Sequence, residues 1–277
     1  MIDQRAIVDP TAVLGSGVTV GAFSIIEPYV TIGDNTRIDA HTIVRRNSRI
    51  GKDNHIHSFC SIGDDPQFSG YQGEETFLDV GHRNKIREFC TLNRGSPAGT
   101  GRTSIGSDNF LMAYVHIAHD SQVGNQITLA NAVSLAGHVE IGDGATLGGF
   151  SLVHLFCRIG QHAFTGIGTV CLKDVPPFVM AAGHSAETYG INVRGLRRRG
   201  FDDEAVSALQ RAYRHLYRSG LDLKAALAAI KVDGGNVPVV VALATFVENS
   251  TRGIIRYTGI FGRPRDVYRH RSGRVLW

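Results

Sequence analysis

Histidine is the residue type in this chain whose number and spacing could do chemistry. Four of the 12 histidines fall in one stretch: His116, His119, His138 and His154. Imidazole titrates near neutral pH and can serve as a general base or a metal ligand. Asp120 directly follows His119, and its carboxylate could hold the Nδ1 proton so that Nε2 is free as a base. Because adjacent strand residues point to opposite faces, this pairing requires a corner or distortion at Asp120.

The elements that must position these histidines repeat every six residues. This period is neither that of an α-helix (3.6) nor that of a plain strand (2). Val, Ile or Leu recurs at this spacing, with a one-residue shift in the middle, and the pattern fades at Thr165 and Cys171. The recurring positions are Val8, Leu14, Val20, Ile26, Ile32, Ile38, Val44, Ile50, Ile56, Ile62, Val80, Ile86, Leu92, Ile105, Leu111, Ile117, Val123, Leu129, Leu135, Ile141, Leu147, Val153 and Ile159.

Hexads of this kind predict a parallel β-helix. Each hexad supplies a short strand with one inward side chain and a tight corner, where the frequent following glycine is expected to relieve steric crowding. Three hexads close a triangular coil of about 18 residues, and about eight such coils stack through strand hydrogen bonds. By this arithmetic His119, His138 and His154 lie on successive coils at one edge, within about 10–12 Å of one another.

The organisation of the chain follows from where the hexads stop. Residues 1–190 form the predicted β-helix, with loop excursions at 64–79 and 94–104, which contain Pro and Gly and could line a binding face. Residues 191–252 are predicted to form an α-helical domain, and 253–277 a basic tail rich in arginine. Three helices are expected: one capped by Asp202, one opened by Asp222, and one from about Val239 to Ser250.

Composition and charge limit the partners and the compartment. The formal net charge of +4 on 277 residues is too small to predict nucleic-acid binding. No apolar run is long enough to span a bilayer, and no signal peptide is recognisable. The four cysteines, Cys60, Cys90, Cys157 and Cys171, have no C-x-x-C spacing. They are expected to be buried free thiols, which predicts a cytoplasmic protein.

Several motifs are far more specific than the hexad. They are VHIAHD at 115–120, AGHV at 136–139, GG at 148–149 before Val153-His154, GHRNKIRE at 81–88, KDVPP at 173–177, GLRRRGF at 195–201 and STRGIIR at 250–256. Together they resemble the UDP-N-acetylglucosamine O-acyltransferases of lipid A biosynthesis, over about residues 1–256. The resemblance implies a homotrimer of left-handed β-helices, each with a C-terminal α-helical domain. It implies transfer of a 3-hydroxyacyl chain from acyl carrier protein to the 3-position of a UDP-amino sugar, between subunits and without metal or other cofactor.

The resemblance also implies roles for individual residues. His119 would be the general base, Asp120 would orient it, and the backbone N–H of Gly137 would stabilise the oxyanion. The implied substrate-binding residues, which include a nucleotide-phosphate clamp formed by the last three, are Gln67, His116, His138, His154, Asn192, Arg198 and Arg199. Ile167 corresponds to the position that measures acyl-chain length, and its bulk predicts a medium chain near 3-hydroxydecanoyl.

Three alternatives remain open from sequence. Phe68 and Gly70 stand where the family usually has a carboxylate and a cation, so a different UDP-amino sugar could be the acceptor. A zinc-dependent hydratase like the γ-class carbonic anhydrases uses the same solenoid with three histidine ligands, although its pair of histidines five residues apart is missing here. A catalytically inactive binding scaffold is the third, and the retained His119-Asp120 pair argues against it.

Overall fold

Residues 1–256 are described by the structure, which is a computed structural model. The strands are short and recur along almost the whole of the first 191 residues. In chain order they are β1 (Ile7–Val8), β2 (Val13–Leu14), β3 (Thr19–Val20), β4 (Ile25–Ile26), β5 (Thr31–Ile32), β6 (Arg37–Ile38), β7 (Ile43–Val44), β8 (Ser48–Ile50), β9 (His55–Ile56), β10 (Ser61–Asp64), β11 (Phe77–Val80), β12 (Lys85–Ile86), β13 (Thr91–Asn93), β14 (Arg102–Ile105), β15 (Phe110–Leu111), β16 (His116–Ile117), β17 (Gln122–Val123), β18 (Thr128–Leu129), β19 (Ser134–Leu135), β20 (Glu140–Ile141), β21 (Thr146–Leu147), β22 (Leu152–Val153), β23 (Arg158–Ile159), β24 (Phe164–Thr165), β25 (Val170–Cys171), β26 (Val179–Ala182) and β27 (Glu187–Ile191).

Every third strand pairs in parallel, which gives three sheets around a triangular prism. The first sheet runs from β1 through β4 and β7 to β25, the second from β2 to β23, and the third from β3 to β26, where β27 adds an antiparallel edge strand. The second sheet has eight strands, so eight coils contribute a strand to all three sheets, as the hexads predict. Inward residues such as Ile117 and Leu129 are completely buried and form one continuous core.

The two excursions explain how the hexad pattern shifts. Register normally advances by 18 residues, as in the pairing of Ile7 with Ile25. Ser61 instead pairs with Thr91, so the first excursion adds two whole hexads and keeps the phase. Thr91 pairs with His116, so the second excursion adds one residue more than a hexad. That extra residue produces the one-residue shift seen in the sequence.

Glycines after the inward residues relieve crowding between coils. At Gly106 a Cβ atom would lie 2.5 Å from the carbonyl oxygen of Gly124 on the next coil. The relief of crowding is as the sequence predicts, whereas the left-handed backbone of the corners is adopted mostly by other residues. Among residues 1–256, nineteen other than glycine have positive φ, including Tyr114 at 66° and Phe89 at 61°. This conformation costs roughly 1–2 kcal/mol per residue. The coils stacked on both sides keep each corner residue in it.

The hexads continue further than the apolar pattern suggests. Thr165 and Cys171 occupy inward positions and are fully buried. The Thr165 hydroxyl lies 2.8 Å from the hydroxyl of Ser151, so this buried polar side chain has a hydrogen-bond partner inside the prism. The four cysteines are also buried and unpaired, as predicted.

In the described part of the chain four helices follow the prism: α1 (Val193–Arg198), α2 (Asp203–Tyr217), α3 (Leu223–Gly234) and α4 (Pro238–Glu248). The predicted caps are confirmed, since Asp202 accepts from Ala205 N at 2.7 Å and Asp222 from Ala225 N at 2.7 Å. The short helix α1 was not expected from sequence. None of the helices in residues 1–256 has the length and apolarity required to cross a bilayer.

The start of the predicted basic tail is part of the folded molecule. Ile254 and Ile255 are buried, and Ile255 N donates to the carbonyl oxygen of Asp174 at 2.8 Å. The Ser250 hydroxyl also donates to the Asp174 carboxylate at 2.7 Å. Residues 257–277, the greater part of that tail, lie outside the described residues.

The glycine contacts generate a stability prediction. Gly106→Ala should destabilise the protein by about 1–3 kcal/mol, because a backbone atom of the next coil must move to admit the methyl group. Gly149→Ala is the control, since its nearest atom would be the Asn131 carbonyl oxygen at 3.3 Å. Denaturant unfolding measures both variants. An equal loss of unfolding free energy in the two variants would show that the close approach of the next coil at Gly106 is not the cause.

Candidate active site

The corner between the first and second sheets carries His119 and its carboxylate partner. We call its part on the three coils of Asp120, His138 and Phe156 the histidine corner; all three residues have left-handed conformation. Asp120 has φ of 60°, which turns its side chain to the same side as that of His119. Asp120 Oδ2 therefore lies 2.8 Å from His119 Nδ1. The pairing and the corner that it requires are as the sequence predicts.

The Asp120 carboxylate is buried and ionised. Its side chain has no exposed surface, and it accepts hydrogen bonds from Ser96 N at 3.0 Å, Ser96 Oγ at 2.6 Å and Thr100 N at 2.9 Å. Burial alone raises the pKa of a carboxyl, but the hydrogen bonds from Ser96 and His119 more than offset it and lower the pKa of Asp120. The carboxylate is consequently negative at neutral pH and fixes the orientation of His119.

The second loop excursion supplies these donors. Ser96 and Thr100 lie between β13 and β14 and fold over the histidine corner. The side chain of Arg94 is buried beneath them and donates to the Tyr71 hydroxyl of the first excursion at 3.1 Å, so the two loops hold each other. Sequence reasoning missed Ser96 and Thr100. The loop is rich in small and polar residues, which could have indicated hydrogen-bond donors. Nothing in the spacing, however, indicated that they bind Asp120.

His138 approaches the pair from the next coil. Its ring centroid is 5.2 Å from that of His119 in an edge-to-face arrangement, and its Nε2 is 3.8 Å from Asp120 Oδ2. The imidazole also stacks on Phe156 at 4.4 Å. Burial lowers the pKa of His138, and although Asp120 opposes the shift, the neutral form is favoured at physiological pH.

The other two histidines stand at the edges of this cluster. His116 Nδ1 lies 2.7 Å from the Thr91 hydroxyl, and burial lowers the pKa of His116, with a further contribution from His119. His154 is exposed, and its Nδ1 lies 3.1 Å from the Arg252 guanidinium. Within residues 1–256 His154 makes no ring contact with His119 or His138. As predicted, His119, His138 and His154 follow strands of successive coils on one edge, and His119 and His138 are in ring contact there.

Gly137 packs directly against the imidazole of His119. A Cβ atom at position 137 would lie 2.6 Å from His119 Cε1 and 2.8 Å from Nε2. Any larger residue would push the ring away from Asp120. The absence of a side chain thus leaves room beside Nε2 for a reacting group.

The first excursion brings an aromatic ring to the same place. The ring centroids of Phe68 and His119 are 6.1 Å apart. A Cβ atom at Gly70 would lie 2.7 Å from the Phe68 ring, so the two departures from the family pattern fit each other. Gln67 is exposed beside them.

Asn192 and Arg199 lie at a different corner, the one between the second and third sheets. Asn192 caps α1 by accepting from Gly195 N at 3.1 Å. Arg199 donates to the carbonyl oxygens of Gln126 and Gly144 at 3.3 and 3.1 Å, and so fastens α1 to the prism. Arg198 is exposed and forms no ion pair with any described residue. We call this edge the arginine corner. Within one chain it is a different edge of the prism from the histidine corner.

Ile167 occupies the remaining corner, between the third and first sheets. Its side chain is 78% exposed, so it does not enter the prism core. The stacked rings of Phe59, Phe89 and Tyr114 lie along the same edge, and we call it the aromatic corner. Three coils separate Ile167 from the level of His116, roughly 14 Å along the axis.

His119, Asp120 and His138 each offer a ligand atom within 4.8 Å of the others, which gives the zinc alternative a geometric basis. His154, which that alternative needs as the third ligand, is not a member of this group. The same three side chains can instead act as a base (His119), the carboxylate that orients it (Asp120) and a neutral imidazole (His138). Acid–base catalysis uses such a set without metal.

Comparisons with known proteins identify the class and then the family. Residues 11–46 and 29–64 match the bacterial transferase hexapeptide family, and residues 174–255 match the family described as UDP N-acetylglucosamine O-acyltransferase, domain 2. Among solved structures, LpxA from Acinetobacter baumannii has a TM-score of 0.90 at 43% identity, covering 92% of this chain and 99% of that chain. The UDP-N-acetylglucosamine acyltransferase of Francisella novicida has a TM-score of 0.91 at 39% identity, covering 94% and 95%. The fold is the predicted left-handed parallel β-helix with C-terminal α-helices.

Curated relatives agree at higher identity. The acyl-(acyl-carrier-protein)–UDP-N-acetylglucosamine O-acyltransferase of Herminiimonas arsenicoxydans is 49% identical over 260 residues, covering 92% of this chain and 99% of that protein. The corresponding protein of Alkalilimnicola ehrlichii is 51% identical over 255 residues, with the same coverage. The chain belongs to the acyl-(acyl-carrier-protein)–UDP-N-acetylglucosamine O-acyltransferase family. The comparisons support the predicted acyltransferase and not its alternatives.

The buried carboxylate generates a pH-dependent prediction. Because the folded-state pKa of Asp120 is lowered, its stabilising contribution is present above the unfolded pKa of about 3.9 and is lost as pH falls through the folded value. Ser96→Ala removes a hydrogen bond to this charge and should reduce the free energy of unfolding by about 1.5–3 kcal/mol at neutral pH.

The difference in free energy of unfolding between wild type and Ser96→Ala should shrink as the pH is lowered. The reason is that a hydrogen bond to a protonated carboxyl is weaker than one to a carboxylate, so its removal costs less. The control is Ser121→Ala, whose hydroxyl donates to the Ala136 carbonyl oxygen at 3.2 Å and does not contact Asp120. Denaturant unfolding across the acid range measures both. A pH-independent loss in Ser96→Ala would contradict the ionised state of Asp120.

Proposed function

We propose that this protein transfers a 3-hydroxyacyl chain from acyl carrier protein to the 3-hydroxyl of UDP-N-acetylglucosamine, the first acylation in lipid A biosynthesis. Membership of the family supports this function. The observation that carries it is the His119–Asp120 pair, in which a buried, ionised carboxylate holds one imidazole nitrogen and leaves the other facing the space beside Gly137.

The proposed chemistry is one proton transfer and one acyl transfer. The hydrogen bond to Asp120 keeps the proton of His119 on Nδ1, so Nε2 accepts the proton of the sugar 3-hydroxyl. The sugar oxygen then attacks the thioester carbonyl carbon. Collapse of the tetrahedral intermediate breaks the carbon–sulfur bond, and the thiolate of the carrier takes the proton from His119 Nε2. The acyl thioester is the co-substrate, and the step needs no other cofactor and no metal.

Gly137 is proposed to stabilise the negative charge that develops on the thioester oxygen. Its position against His119 puts a backbone amide close to the base, and the amide N–H has no hydrogen-bond acceptor in the described part of the chain. A fixed N–H aimed at a developing oxyanion is among the largest single contributions to catalysis of acyl transfer. The neutral imidazoles of His116 and His138 can donate to sugar or phosphate oxygens beside it.

We infer that the complete site forms between copies of the chain in a homotrimer. Gln67, His116, His138 and His154 lie on or beside the histidine corner, whereas Asn192, Arg198 and Arg199 lie at the arginine corner. A UDP-sugar that contacts both sets would have to bridge two chains. A closed three-fold arrangement, in which each histidine corner faces the arginine corner of a neighbour, satisfies every chain equally.

Within the proposed phosphate clamp the arginines differ in what they can offer. Arg198 makes no ion pair in residues 1–256 and is available for a diphosphate, to which a guanidinium fork is well suited. Arg199 already donates to two backbone carbonyls. We therefore assign the direct phosphate contact to Arg198 and a positioning role to Arg199.

The cytoplasm is the proposed location. Acyl carrier protein and UDP-sugars are the co-substrates implied by the family. Four buried cysteines that remain unpaired are typical of a reducing compartment. The C-terminal helices of residues 191–256 include no span that could cross a bilayer.

Removing the base is the direct test of the function. His119→Ala should lower the turnover number for transfer from 3-hydroxyacyl carrier protein to UDP-N-acetylglucosamine by about 10²–10⁴-fold. The control is His215→Ala, because His215 is also bonded to a carboxylate, that of Asp233 at 3.1 Å, but on the helical domain. A near-normal rate in His119→Ala would remove it from the mechanism, and an inactive wild type would overturn the proposed function.

The exposed Ile167 leads to a prediction about acyl-chain length. In a groove between copies that runs along the aromatic corner, its side chain would shorten the space for the chain, and replacing it with glycine removes four carbons. Ile167→Gly should therefore move the preferred donor from about ten carbons to longer chains, since each buried methylene contributes about 0.8 kcal/mol.

Carrier-protein thioesters of graded length measure this shift. Ile7→Gly is the control, because Ile7 is exposed on the first coil, at the opposite end of the prism. A length optimum that is the same in wild type and in Ile167→Gly would show that Ile167 does not measure the chain.

A further inference from the structure

A second group of metal-binding side chains lies on the third sheet, away from the histidine corner. Asp39 follows β6, His55 and His57 flank Ile56 in β9, and Glu88 follows β12 shortly after Lys85-Ile86. These three strands are neighbours in the sheet, so the side chains come from three successive coils. We call Asp39, His55, His57 and Glu88 the Asp39 cluster. None of them has a part in the proposed acyl transfer.

The donor atoms of the Asp39 cluster converge. Asp39 Oδ2 is 2.9 Å from His55 Nε2 and 3.5 Å from His57 Nδ1, and His57 Nδ1 is also 3.5 Å from Glu88 Oε1. The ligand atoms of Asp39, His55 and His57 all lie within 4.8 Å of one another. Donors about 2.1 Å from a tetrahedral zinc ion are about 3.4 Å apart. The two 3.5 Å distances match this separation, and the 2.9 Å pair would have to open by about half an ångström.

The imidazole of His57 is unsatisfied as the chain stands. Its Nε2 is buried without a hydrogen-bond partner, and Nδ1 makes no hydrogen bond with any described residue, although it stands between two carboxylates. The ring stacks on that of His55 with centroids 3.9 Å apart, which holds it in place. A bound ion at Nδ1 would give that nitrogen the partner that it lacks, while Nε2 would keep the imidazole proton.

Two arginines hold the carboxylates in position. Arg37 Nε donates to Asp39 Oδ1 at 2.7 Å, which leaves Oδ2 facing the histidines. Arg87 donates to both oxygens of Glu88 at 3.0 Å. These guanidinium groups neutralise the carboxylates, so the cluster has little negative charge with which to attract a hard cation such as Ca²⁺ or Mg²⁺. The two imidazole nitrogens are the ligands that decide which metal is preferred, and imidazole favours transition metals.

We propose that the Asp39 cluster binds a divalent transition-metal ion of the zinc class. Asp39 Oδ2, His55 Nε2 and His57 Nδ1 supply three ligands, and Glu88 Oε1 supplies a fourth on release from Arg87. The bound ion joins three successive coils through side chains, which adds a cross-link to the hydrogen bonds between their strands. Its role is stabilisation of the prism. This site acts independently of the acyl transfer.

The test uses the full-length protein, treated with a chelator and then dialysed against ZnCl₂. One zinc ion per chain should remain bound, and the midpoint of thermal unfolding should rise by several degrees in its presence. His57→Gln and Asp39→Asn should each weaken zinc binding by about 100-fold or more and abolish the rise in midpoint. Co²⁺ in place of zinc should give the intense visible absorption of a tetrahedral site in the wild type.

Two further variants separate this site from other histidines. His41→Gln is the matched control, because His41 stacks between Phe23 and Phe59 at 5.1 and 5.0 Å on neighbouring coils of the same prism. It should bind zinc as the wild type does. His138→Gln disrupts the histidine corner and should also leave the binding unchanged. Absence of stoichiometric zinc, or zinc that is lost in His138→Gln and kept in His57→Gln, would overturn the proposal.

Discussion

The stacking of one coil on the next, eighteen residues later, is the constraint on which the rest of this structure depends. An inward aliphatic side chain such as Ile117 lies on Leu135, and the strands that carry them share backbone hydrogen bonds. Because the two excursions loop out and the strands otherwise stack in a constant order, residues on one edge become neighbours in space. Glycines such as Gly106 allow the backbones to come this close, and residues other than glycine accept the left-handed corner conformation.

Chemistry enters where that regularity is broken. The corner at Asp120 turns a carboxylate towards the preceding His119, which a continuing strand would not do. Within the repeat this buried carboxylate is bonded to His119, and the second excursion provides the further donors, Ser96 and Thr100. The repeat therefore supplies position, and the interruptions supply the polar groups that allow a charge to be kept inside.

The two halves of the proposed site are separated by the triangular cross-section of the prism. Arg199 is fixed to Gln126 and Gly144 at the arginine corner, while His119 is at the histidine corner. A prism has no concave face on which these groups could meet. A cleft between copies, as proposed above, would let such a scaffold enclose a long nucleotide sugar.

The sequence by itself determined the β-helix, its eight coils, the caps at Asp202 and Asp222 and the proximity of His119 to His138, because all of these follow from local patterns or from the arithmetic of a fixed repeat. The motifs, through family resemblance, also indicated the acyl transfer. Only the tertiary structure decided the partners of the Asp120 carboxylate, since Ser96 and Thr100 come from a loop without a repeat. It likewise decided that Arg199 clamps the prism, and that Asp39 meets His57, because the orientations of long and polar side chains depend on neighbours distant in sequence.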